Sequence, residues 1–458
     1  MNKLIILALS GMLFAPLHGF GQHQKCGAQA IKEMLIAKDP QNAARLQHRS
    51  NQLAAQTEVY EESLKGVKLK TTAVVTIPVV FHIVLNSTQI TQLGGNTGIE
   101  QRVLTQLDVL NRDFSKTNSD IGSVPAPFQP LAGNTDIQFG LARQKPDGSG
   151  TDGYEIKTIT SSGFSSLSNN GSDSKSSSTG GLDAWQLTPN SIDYLNIWVV
   201  NISESGVLGY TVPPSFAIGG FYQKWETGLV IDYSVFGKRT SGSQYFFPSS
   251  NDLGRTATHE AGHFFELDHT WGDDNGKCPG SGGVDDGISD TPPQADATYS
   301  PTSTTCPSFP RYDACTPSGD GIMWMNYMDY VDDKCMYMFT NGQVNRMRTQ
   351  ISPGGISFNL TQHPQLLWPT SIVGVEKNST FVVSPNPSSG RFQINFMDTK
   401  GLKKISILNM IGQTVFSTSV TDPSLSKYEL DLQGMGAGIY LIQCSFADGT
   451  ATKKIVLQ

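Results

Sequence analysis

The pattern of apolar positions divides the chain into a mixed helix-and-strand region and a region of strands alone. Residues 74–85 form an almost continuous apolar, β-branched run, which is typical of a strand buried on both faces of a sheet. From about residue 98 to 115, apolar side chains recur on one helical face, which predicts a crossover helix packed on that sheet. Further strands are predicted at residues 136–143, 194–202, 209–212 and 228–236.

Residues 209–212 are expected to form a short strand at an edge of the sheet. Two prolines follow directly, and proline cannot donate a hydrogen bond to a neighbouring strand. An edge strand of this kind can bind an extended peptide by strand addition. Two more helices are predicted, one beginning near Asn251 or Asp252, which are good N-cap residues, and one over residues 341–351.

After residue 376 the pattern changes to short alternating strands about ten residues apart, with turn residues between them. Such a pattern predicts a separate β-sandwich domain at residues 377–458, joined by a linker at 363–376. The expected strands are residues 380–383, 391–396, 404–408, 413–417, 428–432, 438–444 and 453–457.

The residues before the first strand resemble processing segments more than a folded core. Lys3 precedes a short apolar run, and Gly19-Phe20-Gly21 offers a small-x-small cleavage site, so residues 1–21 are predicted to be a secretory signal peptide. Residues 22–70 are polar and helix-leaning, which indicates a short prosegment. The domain that carries the chemistry would then span residues 71–362.

Composition narrows the class of protein. A chain of 458 residues is long enough for two or three domains with substantial cores. The net charge is -7 and basic runs are lacking, so nucleic acid is not an expected partner. Only the apolar run near the N-terminus looks like a membrane or export signal, and it is too short for a transmembrane span. A monomer is expected.

Residues 259–269 carry the strongest chemical signal. His259 and His263 are four residues apart, so on a helix their imidazoles project from one face and can share a zinc ion. Glu260, between them, can take a proton from water bound to that ion. In a regular helix His269 would point away, about 120° around the axis from His263. We therefore predict that the helix ends near residue 265 or 266 and that the chain turns back.

Glu266 occupies the position of this turn. Proteases with the long zinc motif HExxHxxGxxH usually have glycine there, and a left-handed conformation costs other residues about 1 to 2 kcal/mol. A structural-type zinc site contributes on the order of 10 kcal/mol, so we expect the site to form with some strain. Two alternatives stay open: a surface helix with three unrelated histidines, and a metal site whose catalytic activity Glu266 impairs.

Six cysteines suit an exported protein, in which disulfides can form. Four of them cluster after the histidine motif, so two disulfide bonds are expected there, with the pairing left open: Cys278, Cys306, Cys315 and Cys335. Cys26 and Cys444 stand alone near the two ends. Cys26 either supplies a thiolate that blocks the zinc until the prosegment is removed, or it is incidental.

Three other features bear on a site. The acidic loop after the motif could hold calcium through Asp285, Asp286 and Asp290, although a solvated acidic loop explains it nearly as well. Within the apolar turn at residues 323–330 a methionine can pack beneath the zinc ligands, and Tyr330 could hydrogen-bond the oxyanion of peptide hydrolysis. The histidine in the first strand, at position 82, is expected to be a core residue.

The motifs together resemble a known family. HEAGHFFELDH followed by NYMDY resembles the metzincin metalloproteases, and YLNIWVVN, GRTATHE and NYMDYVDDKCM resemble their pappalysin branch, over roughly residues 73–352. The resemblance implies an α+β fold: a twisted, mostly parallel sheet with a backing helix and a zinc helix, above an irregular lower subdomain. It implies an endopeptidase with Glu260 as the base and Met328 in the Met-turn. Its zinc ligands would be His259, His263 and His269, and Tyr330 matches a tyrosine of relatives.

The resemblance also implies finer properties. It suggests bound calcium, a cysteine near the start of the prosegment that caps zinc, and a preference for Arg or Lys just after the cut. Asp332 and Asp333 could supply the acidic pocket for that preference, although Lys334 beside them opposes it. Two disulfide pairs are implied, Cys278 with Cys315 and Cys306 with Cys335.

The last 80 residues resemble the C-terminal sorting domain of type IX secretion cargo, in SPNPSSGRFQINF, ISILNMIGQTVFS and GMGAGIYLIQCSFADGTATKKIVLQ. This implies the type IX machinery as a partner and release or attachment at the outer cell surface. The sequence therefore predicts a secreted zinc endopeptidase for protein or peptide substrates, made as a latent precursor. The alternative from another class is a surface binding or adhesion protein whose protease fold is inert.

Overall fold

The computed structural model describes most of the chain. The described residues are 25–65, 74–164, 173–189, 191–204, 206–241, 244–273, 276–368, 381–397, 401–409, 414–420, 422, 425–436, 438–446 and 449–458. The predicted signal peptide and most of the predicted linker lie outside these ranges. Within the described part of the chain, no helix is both long and apolar enough to cross a bilayer.

Two helices form the N-terminal segment, α1 (Ala28–Lys38) and α2 (Gln41–Leu64). Ile31 and Leu35 of α1 are buried in an apolar cluster that also contains Tyr210 and Phe216 of the following domain. The segment is therefore folded onto that domain, and its helix-leaning sequence forms helices as predicted.

One mixed sheet forms the upper half of the first domain. Its strands are β1 (Val75–Asn86), β2 (Ile137–Leu141), β3 (Tyr154–Ile159), β4 (Leu195–Val200), β5 (Gly209–Val212) and β6 (Gly228–Asp232). The order is β2-β1-β4-β6-β5, with β3 beside the second half of β1. All pairs are parallel except β5 with β6, and β5 lies at an edge of the sheet. The mostly parallel sheet and the edge position of β5 are confirmed.

Helices cover this sheet. After the short α3 (Ser87–Gln92), helix α4 (Gly95–Phe114) packs against β2 and buries most of its predicted apolar face, although Leu104 is exposed. Three more helices follow, α5 (Pro214–Ile218), α6 (Arg255–Phe264) and α7 (Asn341–Ile351). Helix α6 contributes Ala257, Ala261 and Phe264 to the same core as α4. The sheet and α4 thereby hold α6 in place.

The start of α6 differs from the prediction. The helix begins at Arg255, not near Asn251 or Asp252, and its N-cap is Gly254, with φ of +80° and no side-chain cap. The carboxylate of Asp333 accepts the amide of Arg255 at 3.2 Å instead. The cap thus comes from a residue distant in sequence, which local pattern reasoning does not consider.

Residues 265–340 are mostly irregular, as expected for the lower half. Two disulfides hold this region, Cys278 to Cys315 and Cys306 to Cys335, with Cα atoms 5.2 and 5.5 Å apart. These are the pairs that the family resemblance implies. The first residues of the predicted linker pack on the first domain, where Leu366 is fully buried with Val80 and Tyr194.

The described residues of the C-terminal domain form seven strands. They are β7 (Phe381–Ser384), β8 (Arg391–Phe396), β9 (Leu402–Asn409), β10 (Thr414–Ser419), β11 (Lys427–Asp431), β12 (Gly438–Phe446) and β13 (Gly449–Leu457). A three-stranded antiparallel sheet, β11-β8-β7, and a four-stranded one, β10-β9-β12-β13, share one apolar core. The predicted sandwich is confirmed, with every predicted strand present.

Candidate active site

Helix α6 ends in a sharp turn. Its last residue is Phe264, and Glu266 follows with φ of +70°. The amide of Leu267 donates to the carbonyl of Gly262 at 3.0 Å, which is the longer-range bond of a Schellman turn. A glycine usually takes the left-handed position of such a turn. Here glutamate takes it, and the reversed chain brings His269 back towards the helix.

Three imidazoles meet where the chain returns. The Nε2 atoms of His259 and His269 are 3.2 Å apart, and Nε2 of His263 lies 3.1 Å from each. All three side chains are buried. The turn at Glu266 therefore brings the third histidine to the first two, as the spacing of the motif predicts.

The other ring nitrogens fix the protonation of this cluster. The Nδ1 atoms of the three histidines, in chain order, face the carbonyl of Tyr327 at 2.7 Å, the carbonyl of Leu267 at 2.7 Å and the carboxylate of Asp273 at 2.6 Å. Because these partners only accept hydrogen bonds, each Nδ1 carries the proton and each Nε2 presents a lone pair.

Burial keeps His259 and His263 neutral. Burial and the neighbouring imidazoles lower the pKa of His259 well below its usual value, and the same causes lower the pKa of His263 to about 3. Three lone pairs this close together repel, and no proton lies between them. A shared divalent metal ion satisfies all three, because neutral imidazole nitrogens are common metal ligands. The residues present therefore fit a metal ion.

Glu260 lies beside the cluster on the same helix. Its Oε2 accepts the hydroxyl of Thr211 at 2.8 Å, whereas its Oε1 has no hydrogen-bond partner among the described residues. Burial raises the pKa of Glu260 to about 7. Gly209 leaves room for the side chain, since a Cβ there would lie 3.0 Å from Cγ of Glu260. A carboxylate with one unused oxygen and this pKa can exchange protons near neutral pH.

Met328 forms the floor of the cluster. Its side chain is fully buried, and a Cβ placed on Gly262 would lie 2.4 Å from its Sδ atom. Gly262 is therefore needed where it stands, between the two histidines of α6. The amide of Met328 donates to Oδ1 of Asn326 at 2.9 Å, which shapes the turn beneath the helix. This places Met328 where the Met-turn was predicted.

Tyr330 lies on the open side of the cluster. Its ring centroid is 5.0 Å from that of His269 and 5.8 Å from that of His259. Its hydroxyl donates to the backbone carbonyl of Cys26 at 3.2 Å. Tyr330 is thus already hydrogen-bonded to a carbonyl oxygen beside the histidines.

The N-terminal segment passes directly over the site. Sγ of Cys26 and one nitrogen from each imidazole all lie within 4.8 Å of one another. The amide of Gly27 donates to the carbonyl of Gly209 at 2.9 Å, and the amide of Leu208 donates to the carbonyl of Lys25 at 2.8 Å. Residues 25–27 therefore occupy the free edge of β5, where strand addition was expected.

Comparison with known proteins agrees with this geometry. A family model described as pregnancy-associated plasma protein-A matches residues 178–352. An extracellular metalloprotease of Arthroderma benhamiae is 30% identical over 281 residues, which are 61% of this chain and 72% of that protein. The chain belongs to the pappalysin family. Its members are metalloendopeptidases, and the family implies a divalent metal ion and protein substrates.

Solved structures support the same assignment. Mature mirolysin of Tannerella forsythia, in complex with a cleaved peptide, is 38% identical with a TM-score of 0.55, covering 64% of this chain and 97% of that chain. A promirolysin variant is 35% identical with a TM-score of 0.61, covering 74% and 98%. A secretion system C-terminal sorting domain matches residues 382–458. This pappalysin is therefore a secreted or surface-located metalloprotease with a type IX sorting domain.

The two predicted pocket acids of this pappalysin have different environments. Asp332 lines a cavity of about 680 Å³, together with Leu208 and Tyr299, and pairs with Nζ of Lys25 at 2.7 Å. The neighbouring Asp333 is buried under the start of α6, where it caps the helix. Lys334 turns away and donates to the carbonyl of Ser303 at 2.6 Å. Of the two predicted acids, Asp332 is therefore the one that lines the cavity.

The predicted calcium ligands do not converge in the described part of the chain. Asp286 accepts the hydroxyl of Thr291, Asp285 accepts the amide of Gly287, and Asp290 accepts an amide of α7. Among the described residues, the cluster of three or more potential ligands is the one formed by Cys26 and the histidines. Calcium binding stays a prediction.

His82 and Asp273 are the remaining residues whose positions bear on the predictions. His82 is buried in β1 with one ring nitrogen 2.6 Å from Glu155 and the other 2.9 Å from Asn196, so its prediction as a core residue is confirmed. Sequence reasoning missed Asp273, the acceptor for His269. A search for a carboxylate near each ligand would have found it four residues further on, because metal-ligating histidines need such acceptors.

Proposed function

We propose that this pappalysin is a zinc endopeptidase in which His259, His263 and His269 hold the ion and Glu260 is the general base. The observation that carries the proposal is that the three Nε2 atoms lie 3.1 to 3.2 Å apart and each presents a lone pair. Beside them, Oε1 of Glu260 has no hydrogen-bond partner among the described residues. Neutral imidazoles are ligands that zinc takes readily.

The chain's own residues supply the remaining chemistry. A bound zinc ion would polarise the peptide carbonyl and lower the pKa of attacking water. Glu260 accepts the proton of that water and returns it to the leaving amine. Tyr330, which already donates to a carbonyl beside the cluster, donates to the developing oxyanion.

The substrate would lie along β5. The amide of Leu208 and the carbonyl of Gly209 bond to residues 25–27 of the N-terminal segment. Once that segment is removed, the backbone of a substrate can make the same two bonds by strand addition. A peptide bound in this way would have a peptide bond beside the three histidines.

Residues 22–70 would act as a prosegment that blocks this path. The promirolysin variant covers a larger share of this chain, 74%, than mature mirolysin does, 64%, which is consistent with a removable N-terminal segment. Cys26 would be a fourth zinc ligand in the precursor, because its Sγ belongs to the same cluster. Its removal would free a coordination position for catalysis.

A metal-exchange experiment tests the peptidase proposal. Treatment of the mature protein with a zinc chelator is expected to abolish casein cleavage, and added zinc should restore it, because the histidines hold the ion by coordination alone. The unfolding temperature should be measured alongside. Casein cleavage that persists in demonstrably metal-free protein would contradict the proposal. A folded, zinc-loaded protein that cleaves nothing would instead favour the inert binding protein.

Asp332 would set a preference for Arg or Lys just after the cut. The supporting observation is that the Lys25 ammonium pairs with Asp332 at the wall of the cavity, so this carboxylate can bind a basic side chain there. We expect Asp332→Asn to reduce the preference for basic over neutral residues about tenfold, since a charge-assisted hydrogen bond contributes about 1.5–3 kcal/mol. Cleavage-site profiling of a peptide library measures this preference.

Asp320→Asn is the matched control for this change, because Asp320 is exposed and does not line the cavity. It should leave the cleavage profile as it is. An unchanged preference for Arg and Lys in Asp332→Asn would show that another group selects the basic residue.

A further inference from the structure

One arginine of the N-terminal segment occupies a site that the protease domain builds. The Arg49 guanidinium donates from Nη2 to Oε2 of Glu266 and from Nε to Oγ of Ser215. It also lies over the ring of Phe216, 4.9 Å from the centroid. A carboxylate, a hydroxyl and an aromatic face together match the planar, forked guanidinium, and they match an ammonium group less well.

The protease domain holds this site in place without Arg49. The carboxylate of Glu266 accepts the amide of Ser215 at 2.9 Å and its hydroxyl at 2.7 Å. Its side chain is 0% exposed, and Arg49 is its one ion-pair partner among the described residues. Removal of Arg49 therefore leaves a preformed acidic site with an unpaired charge. Another guanidinium would relieve that unfavourable state.

The site belongs to the same cleft as the histidines. A cavity beside it is lined by Arg49, Phe216 and His263. Ser215 follows the carboxyl end of β5, whereas Lys25 and Asp332 meet near its amino end. An extended peptide advances about 3.3 Å per residue. A peptide along β5 would therefore have at least about four residues between the one that faces Asp332 and the one that faces Glu266.

The backbone of Glu266 gives an independent reason to look for a role of its side chain. Its φ of +70° is a conformation that disfavours every residue with a Cβ atom. Glycine would relieve this strain, but it would also remove the carboxylate. A strained backbone that persists near a functional site is consistent with a functional side chain.

We propose that Glu266, Ser215 and Phe216 form a subsite that binds an arginine side chain of the substrate, and that Arg49 fills this subsite in the precursor. The inference rests on the proposed peptidase function and deepens it. The recognised sequence would contain two basic residues, one facing Asp332 and one facing Glu266, at opposite ends of β5.

The test uses the mature protein and fluorogenic peptides in which one position at a time carries Arg or citrulline, which has nearly the same shape without the charge. At one position other than the one facing Asp332, citrulline is expected to lower kcat/KM about tenfold, the order expected for one buried charge-assisted bond. In Glu266→Gln, the two peptides should differ by less than about twofold at that position, because the carboxylate charge is gone.

Two further variants separate the subsite from its surroundings. Glu266→Gly suits the turn, since glycine accepts positive φ, and it should lose the discrimination as Glu266→Gln does. Asp332→Asn should keep the discrimination at this position. If Arg and citrulline peptides are cleaved equally at every position except the one facing Asp332, or if the discrimination survives in Glu266→Gln, the proposal is wrong and the site serves Arg49 alone.

Binding measured without turnover distinguishes this inference from the peptidase function. Fluorescence anisotropy with the mature Glu260→Ala protein gives Kd for the same uncleaved peptides. A roughly tenfold preference for Arg that disappears when Glu266→Gln is added supports the subsite. It does so even if the unsubstituted protein cleaves nothing, a result that would contradict the peptidase proposal alone. Equal Kd values for Arg and citrulline peptides would overturn the subsite.

Discussion

Replacing Glu260 with alanine is expected to lower kcat/KM for peptide cleavage by roughly 10²- to 10⁴-fold, the usual contribution of a general base. The carboxylate is buried beside the histidines, and one of its oxygens has no hydrogen-bond partner among the described residues. Alanine removes this proton acceptor but leaves all three imidazoles. Zinc content should therefore stay at about one ion per chain, measured on the same preparation.

The control for this prediction is Glu100→Ala, which removes an exposed glutamate of α4. It should change neither cleavage nor zinc content. If the mature Glu260→Ala protein retained its zinc and cleaved peptides at the unsubstituted rate, Glu260 would not be the base. Loss of zinc together with activity would instead assign Glu260 a role in holding the metal site.

Replacing Cys26 with alanine is expected to raise peptide cleavage by the intact precursor roughly tenfold or more, since a blocking interaction of only about 1.4 kcal/mol already corresponds to a factor of ten. The thiol lies in the same cluster as the imidazoles, where a thiolate binds zinc well. The remaining contacts of the segment limit the effect. Lys25 and Arg49 still pair with Asp332 and Glu266 in this variant.

Cys444→Ala is a closely matched control, because Cys444 is the other free, buried cysteine and lies in the C-terminal sandwich. It should leave the precursor latent. If the intact Cys26→Ala precursor cleaves peptides no faster than the unsubstituted precursor, the thiol does not block the metal. Latency would then rest on the backbone and ion-pair contacts of residues 25–65.

The convergence of the histidines could be predicted because sequence spacing fixes geometry over one or two helical turns. His259 and His263 must share a face of α6, and His269 can join them only if the helix stops, as it does at Phe264. The C-terminal strands could be predicted equally well, because each is short and alternates between apolar and polar side chains. Local periodicity was sufficient for these elements.

Contacts between distant residues could not be predicted in this way. The cap of α6 comes from Asp333, which lies 78 residues beyond Arg255. Strand β3 was missed because only its first four residues alternate between apolar and polar side chains and the strand is only partly buried. Such features depend on which elements the tertiary fold brings together.

Glu266 shows what sequence alone leaves out about a departure from a motif. In the sequence it is only the residue that replaces a turn glycine, which suggests strain and impaired activity. In the structure the turn still forms, and the carboxylate faces Arg49 and Ser215. Its partners lie 217 and 51 residues away, so no local pattern could have indicated them.

The most direct test of the shared metal site is the zinc content of the mature protein and its His269→Ala variant, measured together by mass spectrometry after dialysis, with His363→Ala as the control. If three imidazoles share one ion, the unsubstituted and control proteins should each retain about one zinc per chain, and His269→Ala should retain much less. Equal zinc in all three proteins, or none in the unsubstituted one, would contradict it.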